Sequence, residues 1–207
     1  MKVKTIIFDL GGVFVSDAPI YYENNLCDFS SVLEFAEVSK EDAKELWEKH
    51  WPKMKYGKES ISEYWKNFQS LIKNGVGINE VIKRYQDKII IDDGVLKFAY
   101  GLKNKYRLLA LANESKEGID LKNEKFKLPE LFKKIYCSAY LNMAKPNKDI
   151  YEYIIKDANI DLSTTIFIDN QIENIEAAES LGIKSILFKN FEQLKRELNT
   201  IGVESIE

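Results

Sequence analysis

The chain has one histidine, His50, and only two cysteines, Cys27 and Cys137, in 207 residues. Two thiols in a chain of this length do not make a disulfide framework, and such sparing use suits a reducing cytosol. No apolar stretch approaches the ~20 residues that span a bilayer. The first apolar run, in "MKVKTIIFDLGG", is too short for a secretory signal and is soon broken by Asp9. No long basic run occurs either. Lys plus Arg number 30 and Asp plus Glu 33, a formal net charge of −3, which asks for no nucleic-acid partner. These absences lead to the expectation of a soluble cytoplasmic protein with no membrane and no nucleic-acid partner. Oligomeric state is not written in the sequence.

Hydrophobic residues make up 45% of the chain and aromatics 12%. That is enough for one sizeable core, or for one core with a modest insertion. Five short β-rich runs stand out: Val3 to Phe8, Arg107 to Ala112, Ile135 to Ser138, Thr164 to Ile168, and Ser185 to Phe188. The first is broken by Gly11-Gly12 and delivers Asp9 to its carboxyl end. The second ends at Asn113 and the fourth at Asp169. Helix-period stripes lie between the later runs: Val95, Phe98, Ala99 and Leu102; Ile150, Ile154, Ile155 and Ala158; Ile175, Ala178 and Leu181, stopped by Gly182. Strands alternating with helices imply a parallel sheet covered on both faces.

Residues 16–91 differ, being helical in pattern with no convincing strand. Ser39 precedes a stripe of Ala43, Leu46, Trp47, His50 and Met54. Ser60 and Glu63 have the spacing of a capping box. Ile61, Tyr64, Trp65, Phe68 and Leu71 form the next stripe, and Ile78, Ile82, Tyr85 and Ile89 another. The expected fold class is therefore α/β, with a Rossmann-like core, a central parallel sheet and an inserted α-helical cap. The core would be 1–15 and 92–207 and the cap 16–91. Ligands of open parallel sheets bind outside the carboxyl ends of the strands, where such an insertion would act as a lid.

Asp9, the Ala112-Asn113 pair, Lys145 in "AKPNKDIY" and Asp169 in "FIDNQIENIEAA" fall at or just after strand ends. Two carboxylates converging with one lysine suit phosphoryl transfer with Mg²⁺, a hard cation held by one or two carboxylates plus substrate phosphate. A carboxylate can also be the nucleophile, and a lysine offsets the gathered negative charge. Each residue also has a plainer reading. Asp9 and Asn113 could be turn residues and Lys145 a solvated loop lysine. His50, on an apolar stripe, reads as packing before catalysis, as do Trp47, Trp51 and Trp65. Glu173 reads as the first-turn acid of a helix.

With "FDLGGVF", "LLALANES", "AKPNKDIY" and "FIDNQIENIEAAESLGI" in this order, the chain resembles the haloacid dehalogenase-like hydrolases. Within them it is similar to the small phosphatases with a helical cap after the first motif, the group that contains bacterial glucose-1-phosphate phosphatase. The resemblance implies a small phosphorylated metabolite as substrate and Mg²⁺ as cofactor. It implies Asp9 as nucleophile and metal ligand, the Gly11 carbonyl and Asp169 as further ligands, and Lys145 as the bridge between Asp9 and phosphate. Asn113 would lie beside the phosphate.

Three positions depart from the family pattern. Gly11 stands where an acid–base aspartate is usual, Ala112 where a hydroxyl is usual, and Asn170 where a second aspartate is frequent. A lost hydrogen bond to a charged group costs roughly 1.5–3 kcal/mol. A lost positioned acid–base costs ~10²–10⁴-fold in rate. The glucose-1-phosphatase-like relatives also lack this aspartate, so its absence does not by itself imply inactivity. The expectation is a Mg²⁺-dependent phosphatase working through an aspartyl-phosphate on Asp9. The alternative is a catalytically impaired relative that binds a phospho-ligand or a protein partner. Hydrolysis of a C–halogen bond is a third possibility, disfavoured because Asp169 occupies a metal-ligand position.

Overall fold

The computed structural model describes residues 2–16 and 30–204. Cys27 and the start of the expected cap lie outside these residues. The main sheet is built from β1 (Thr5–Phe8), β4 (Arg107–Ala112), β5 (Lys134–Cys137), β6 (Thr165–Asp169) and β7 (Lys184–Leu187). All neighbours are parallel, in the order β5-β4-β1-β6-β7. β1 is therefore central, with Phe8 level with Ala110 on one side and Ile168 on the other.

Both faces of this sheet are covered, which is why its strands read as unbroken apolar runs. On one face Ile6, Phe8, Leu108, Ala110, Ile166 and Ile168 join a core with Val95, Phe98, Ala99 and Leu102 of α5 (Asp93–Leu102). On the other, Ile7, Leu109, Leu111 and Phe167 pack with Ile150 and Ile154 of α9 (Lys148–Asp157) and Ile175 and Ala178 of α10 (Ile172–Glu179). α6 (Lys116–Phe126), the single turns α7 (Leu128–Leu131) and α8 (Ser138–Leu141), and α11 (Phe191–Thr200) complete the layers.

Between β1 and α5 the chain forms α1 (Ser30–Ala36), α2 (Lys40–Met54), α3 (Ile61–Gln69) and α4 (Ile78–Lys88). Ser39 and Ser60 cap α2 and α3, their hydroxyls accepting from the N–H of Asp42 and Glu63. These helices bury a core of their own, including Val32, Leu33, Ala43, Met54, Tyr64, Trp65, Phe68 and Val81. One expectation is corrected here. The span 16–91 does contain strand: β2 (Val15–Ser16) pairs antiparallel with β3 (Ile90–Ile91). Each is only two residues long, and its partner is remote in sequence, so neither shows a periodic pattern. This ribbon is where the helical insertion leaves and rejoins the sheet, and Asp92 N–H fastens it by donating to the Phe14 carbonyl at 2.8 Å. The loop after α2 reaches the third-motif loop, where Asn147 Nδ2 donates to the Tyr56 hydroxyl at 2.9 Å.

Candidate active site

The carboxyl ends of β1 and β6 adjoin, so the residues they deliver are neighbours. Asp9 follows β1, and its N–H donates to the Ile168 carbonyl at 2.8 Å. Its Oδ1 accepts from the Leu10 N–H at 2.7 Å. The loop then turns at Gly12, whose φ is +76°. A Cβ there would also lie 2.2 Å from Asn170 Nδ2, so glycine lets the first- and fourth-motif loops touch. Gly11, between them, contributes main chain only.

Asp169 ends β6 and is fully buried. Its Oδ1 accepts from the Gln171 N–H at 2.8 Å, and Asn174 Nδ2 lies 3.0 and 3.1 Å from its two oxygens. Lys145 is buried as well, at 2% exposure. Its Nζ lies 2.9 Å from Asp9 Oδ1 and 2.6 Å from Asp169 Oδ2. One ammonium thus bridges two carboxylates from adjacent strands. A lysine is almost never buried without such a partner.

Burial pushes the Asp9 carboxyl up to about 7; the Lys145 charge opposes this and the Asp169 charge adds to it. For Lys145 burial works against the ammonium, but the charges of Asp169 and Asp9 outweigh it and hold its pKa above the ordinary value. The lysine is a fixed positive charge in the site.

Asn113 follows β4, and its amide is used on the Lys145 backbone. Nδ2 donates to the Lys145 carbonyl at 2.8 Å, and Oδ1 accepts from the Lys145 N–H at 2.9 Å. In this structure Asn113 positions Lys145. Ala112 ends β4, buried and without a hydroxyl to offer. Glu173 is an exposed first-turn residue of α10. His50 is buried on α2, its Nδ1 bonded to Glu59 within the insertion. Lys145 is the opposite of a solvated loop lysine.

Sequence reasoning missed three residues. Asn174 was signalled by being polar on the buried face it shares with Ile175 and Ala178. Half-buried Glu114 and buried Lys122 form an ion pair beside the second motif. The Glu114 Oε1 accepts from the Ser115 N–H at 2.8 Å and from its hydroxyl at 3.2 Å. Burial pushes Glu114 up to about 7, opposed by the Ser115 bonds and aided by the charge of Asp9. Burial pushes Lys122 down to about 7, against the pull of Asp9. Glu114 precedes Ser115, the N-cap of α6, so no helical spacing links it to Lys122.

Among the described residues no three His, Cys, Asp or Glu side chains are grouped to hold a metal. A cation at this centre would therefore have two carboxylate side chains, Asp9 and Asp169, and would complete its shell with oxygen from main chain, water or substrate. That donor set fits Mg²⁺. The Asn170 Oδ1, buried beside Gly12 with no hydrogen-bond partner, is a further oxygen able to accept from a water in such a shell.

A parallel sheet with an inserted helical unit, and an Asp–Lys–Asp centre at its carboxyl edge, define a class of hydrolase. The family model described as haloacid dehalogenase-like hydrolase matches residues 6–188, and the chain belongs to that family. Among curated relatives, D-ribitol-5-phosphate phosphatase of Bacteroides thetaiotaomicron is 24% identical over 96% of this chain and 98% of its own. Drimenol cyclase drtB of Aspergillus calidoustus is 30% identical over 95 residues, 46% of this chain but only 18% of the cyclase. Among solved structures, a haloacid dehalogenase family enzyme of B. thetaiotaomicron, in complex with magnesium and inorganic phosphate, superposes with a TM-score of 0.74. It is 21% identical over 93% of this chain and 98% of that one. A related hydrolase from Porphyromonas gingivalis gives 0.74 at 23% identity, covering 99% of this chain and all of the other. These likenesses show the shared fold. No helix among the described residues is long and apolar enough to cross a membrane.

Proposed function

We propose that the protein is a Mg²⁺-dependent phosphatase acting on a small phosphorylated metabolite through an aspartyl-phosphate on Asp9. The observation that carries this reading is the single buried ammonium of Lys145 held between the carboxylates of Asp9 and Asp169. The phosphatase name of a full-length relative and the magnesium–phosphate complex of a structural neighbour support it. Asp9, Asp169 and the Gly11 carbonyl would hold Mg²⁺, whose charge would stabilise the phosphoryl oxygens.

Asp9 attacks phosphorus, forming an acyl-phosphate bond while the ester P–O bond breaks. The leaving oxygen takes its proton from water, because Gly11 has no side chain to give one. A second water then attacks the acyl phosphate, releasing inorganic phosphate and restoring the Asp9 carboxylate. Lys145 keeps its charge throughout and offsets that of Asp9 and phosphate. Asn113 keeps Lys145 in place and borders the phosphate. The helical unit at 16–91 serves as the cap, with 1–15 and 92–207 as the core, and excludes water over the strand ends.

The test is phosphate release from a panel of phosphomonoesters with Mg²⁺ and with EDTA, alongside Asp9→Asn. Mg²⁺-dependent release that Asp9→Asn abolishes is expected; release that survives this substitution would overturn the reading. Gly11 and Ala112 favour a second reading, a catalytically impaired relative that binds a phospho-ligand or protein partner. It predicts a Mg²⁺-dependent thermal shift with inorganic phosphate and no turnover. Activity gained by Gly11→Asp would then assign the impairment to the missing acid–base.

A further inference from the structure

Between α3 and α4 of the insertion and α6 of the core lies a cavity of about 360 Å³. Small-molecule sites run from ~300 to 1,000 Å³, so this one suits a compact organic group. Its apolar walls are Ile61, Trp65, Ile78, Ile82, Tyr85 and Leu121. Trp65 is buried, but the other five are only half-buried. Apolar faces from two helical layers thus line open space instead of closing on each other.

The floor of the cavity is Glu114 and Lys122. Glu114 directly follows Asn113, the residue that positions Lys145, and the charge of Asp9 bears on both members of the pair. The cavity lining therefore reaches the residue next to the one that positions Lys145. Its floor offers little to a hydroxyl-rich ligand, because the two charged groups are already engaged. Lys122 Nζ donates to Glu114 Oε2. Glu114 Oε1 accepts twice from Ser115. Of the remaining long polar side chains of the lining, Lys66, Gln69 and Glu117 are exposed and Gln86 is half-buried at the edge of the apolar stripe of α4. A polyol placed here would exchange hydration for contact with isoleucine and tryptophan, which is unfavourable for each unpaired hydroxyl. A hydrocarbon would gain from the same walls.

Resting on the phosphatase reading above, we propose that this cavity receives the leaving group of the substrate and that this group is an apolar hydrocarbon alcohol, not a polyol. The ester P–O bond breaks as Asp9 bonds to phosphorus, and the apolar alcohol departs into the cavity after taking a proton from water.

The test compares decyl phosphate and 1-naphthyl phosphate with sorbitol 6-phosphate, each with Mg²⁺. The apolar esters should exceed the polyol ester in kcat/KM by about 10-fold or more. Ile82→Asn, and independently Ile61→Gln, should reduce that ratio by about 10-fold; either variant suffices if the other folds poorly. Decanol binding is read separately, without turnover, from the fluorescence change that is lost in Trp65→Phe. Decanol binding with no phosphate release from any ester would leave the apolar site standing and defeat the phosphatase reading. Efficient release from sorbitol 6-phosphate, with no decanol binding, would overturn the apolar cavity and leave the phosphatase reading intact.

Discussion

Asn113 grips the peptide of Lys145 from both sides, donating to its carbonyl at 2.8 Å and accepting from its N–H at 2.9 Å. A side chain at the end of one strand thereby fixes a lysine delivered from beyond the next. Asn113→Ala should lower kcat/KM by about 10–100-fold, since small misplacements of a catalytic group have effects of that size. It should also lower stability by about 1–3 kcal/mol for the two unmade bonds. Unchanged kinetics with a lowered melting temperature would reduce the grip to a structural one.

Lys145 separates two buried carboxylates. Lys145→Met should abolish turnover and destabilise the metal-free protein by about 3–5 kcal/mol, the range for breaking a buried ion pair from one side. Added Mg²⁺ should restore part of the melting temperature by supplying positive charge between Asp9 and Asp169. A melting curve equal to wild type without metal would contradict this account of the centre.

Gly118 should resist a substitution that usually helps a helix. Replacing glycine by alanine in a helix interior ordinarily gains up to about 1 kcal/mol. Here a Cβ would meet Glu114 Oε1 at 2.3 Å and Ser115 Oγ at 2.7 Å. Ser115 Oγ also accepts the Gly118 N–H at 3.1 Å, capping α6. Gly118→Ala should therefore lose about 1–2 kcal/mol as Glu114 and the cap are displaced. Thermal unfolding decides it: a raised melting temperature would mean that the carboxylate moves aside freely.

Glu59 ties the loop after α2 back to that helix, through His50 Nδ1 and through Lys53 Nζ at 3.1 Å. Burial works to raise its pKa, but the bonds and charges of His50 and Lys53 outweigh this and hold it below its ordinary 4.5. A depressed folded pKa means that its stabilisation is complete above pH 4.5 and is lost as pH falls through the depressed value. Glu59→Gln should melt at a lower temperature than wild type at pH 7, and the two curves should converge in acid below that value. A gap that persists there would trace the effect to packing.

The strands were the most legible part of the chain. β4 is observed from Arg107 to Ala112, where its run was read, because burial on both faces makes the five residues between Arg107 and Asn113 uniformly apolar. Asp9 and Asp169 were legible because charged residues at strand ends are conspicuous against such runs, whereas Lys145, in the loop after α8, was legible only through "AKPNKDIY". The use of Asn113 was not, since it depends on knowing that the Lys145 peptide lies opposite. Glu114 and Lys122 were hidden for a different reason. A charged pair on a helix and the loop before it looks like a solvated surface until the insertion is known to cover it. The ribbon of β2 and β3 was equally hidden, because two-residue strands exist only through their pairing.

That ribbon bears on how the chain closes up. Pairing β1 with β4 brings Thr5 level with Arg107, which is a long loop to close by chance. Val15 pairs with Ile91. Once the two are joined, the path from β1 to β4 shortens from ~100 residues to ~25, lowering the entropic cost of closure by about 1 kcal/mol. Ile91→Gly should accordingly slow refolding as well as weaken the fold, and accelerated unfolding with an unaltered refolding rate would refute this. The clasp at the base of the insertion is then a shortcut, making a sheet of distant strands behave as though its sequence were local.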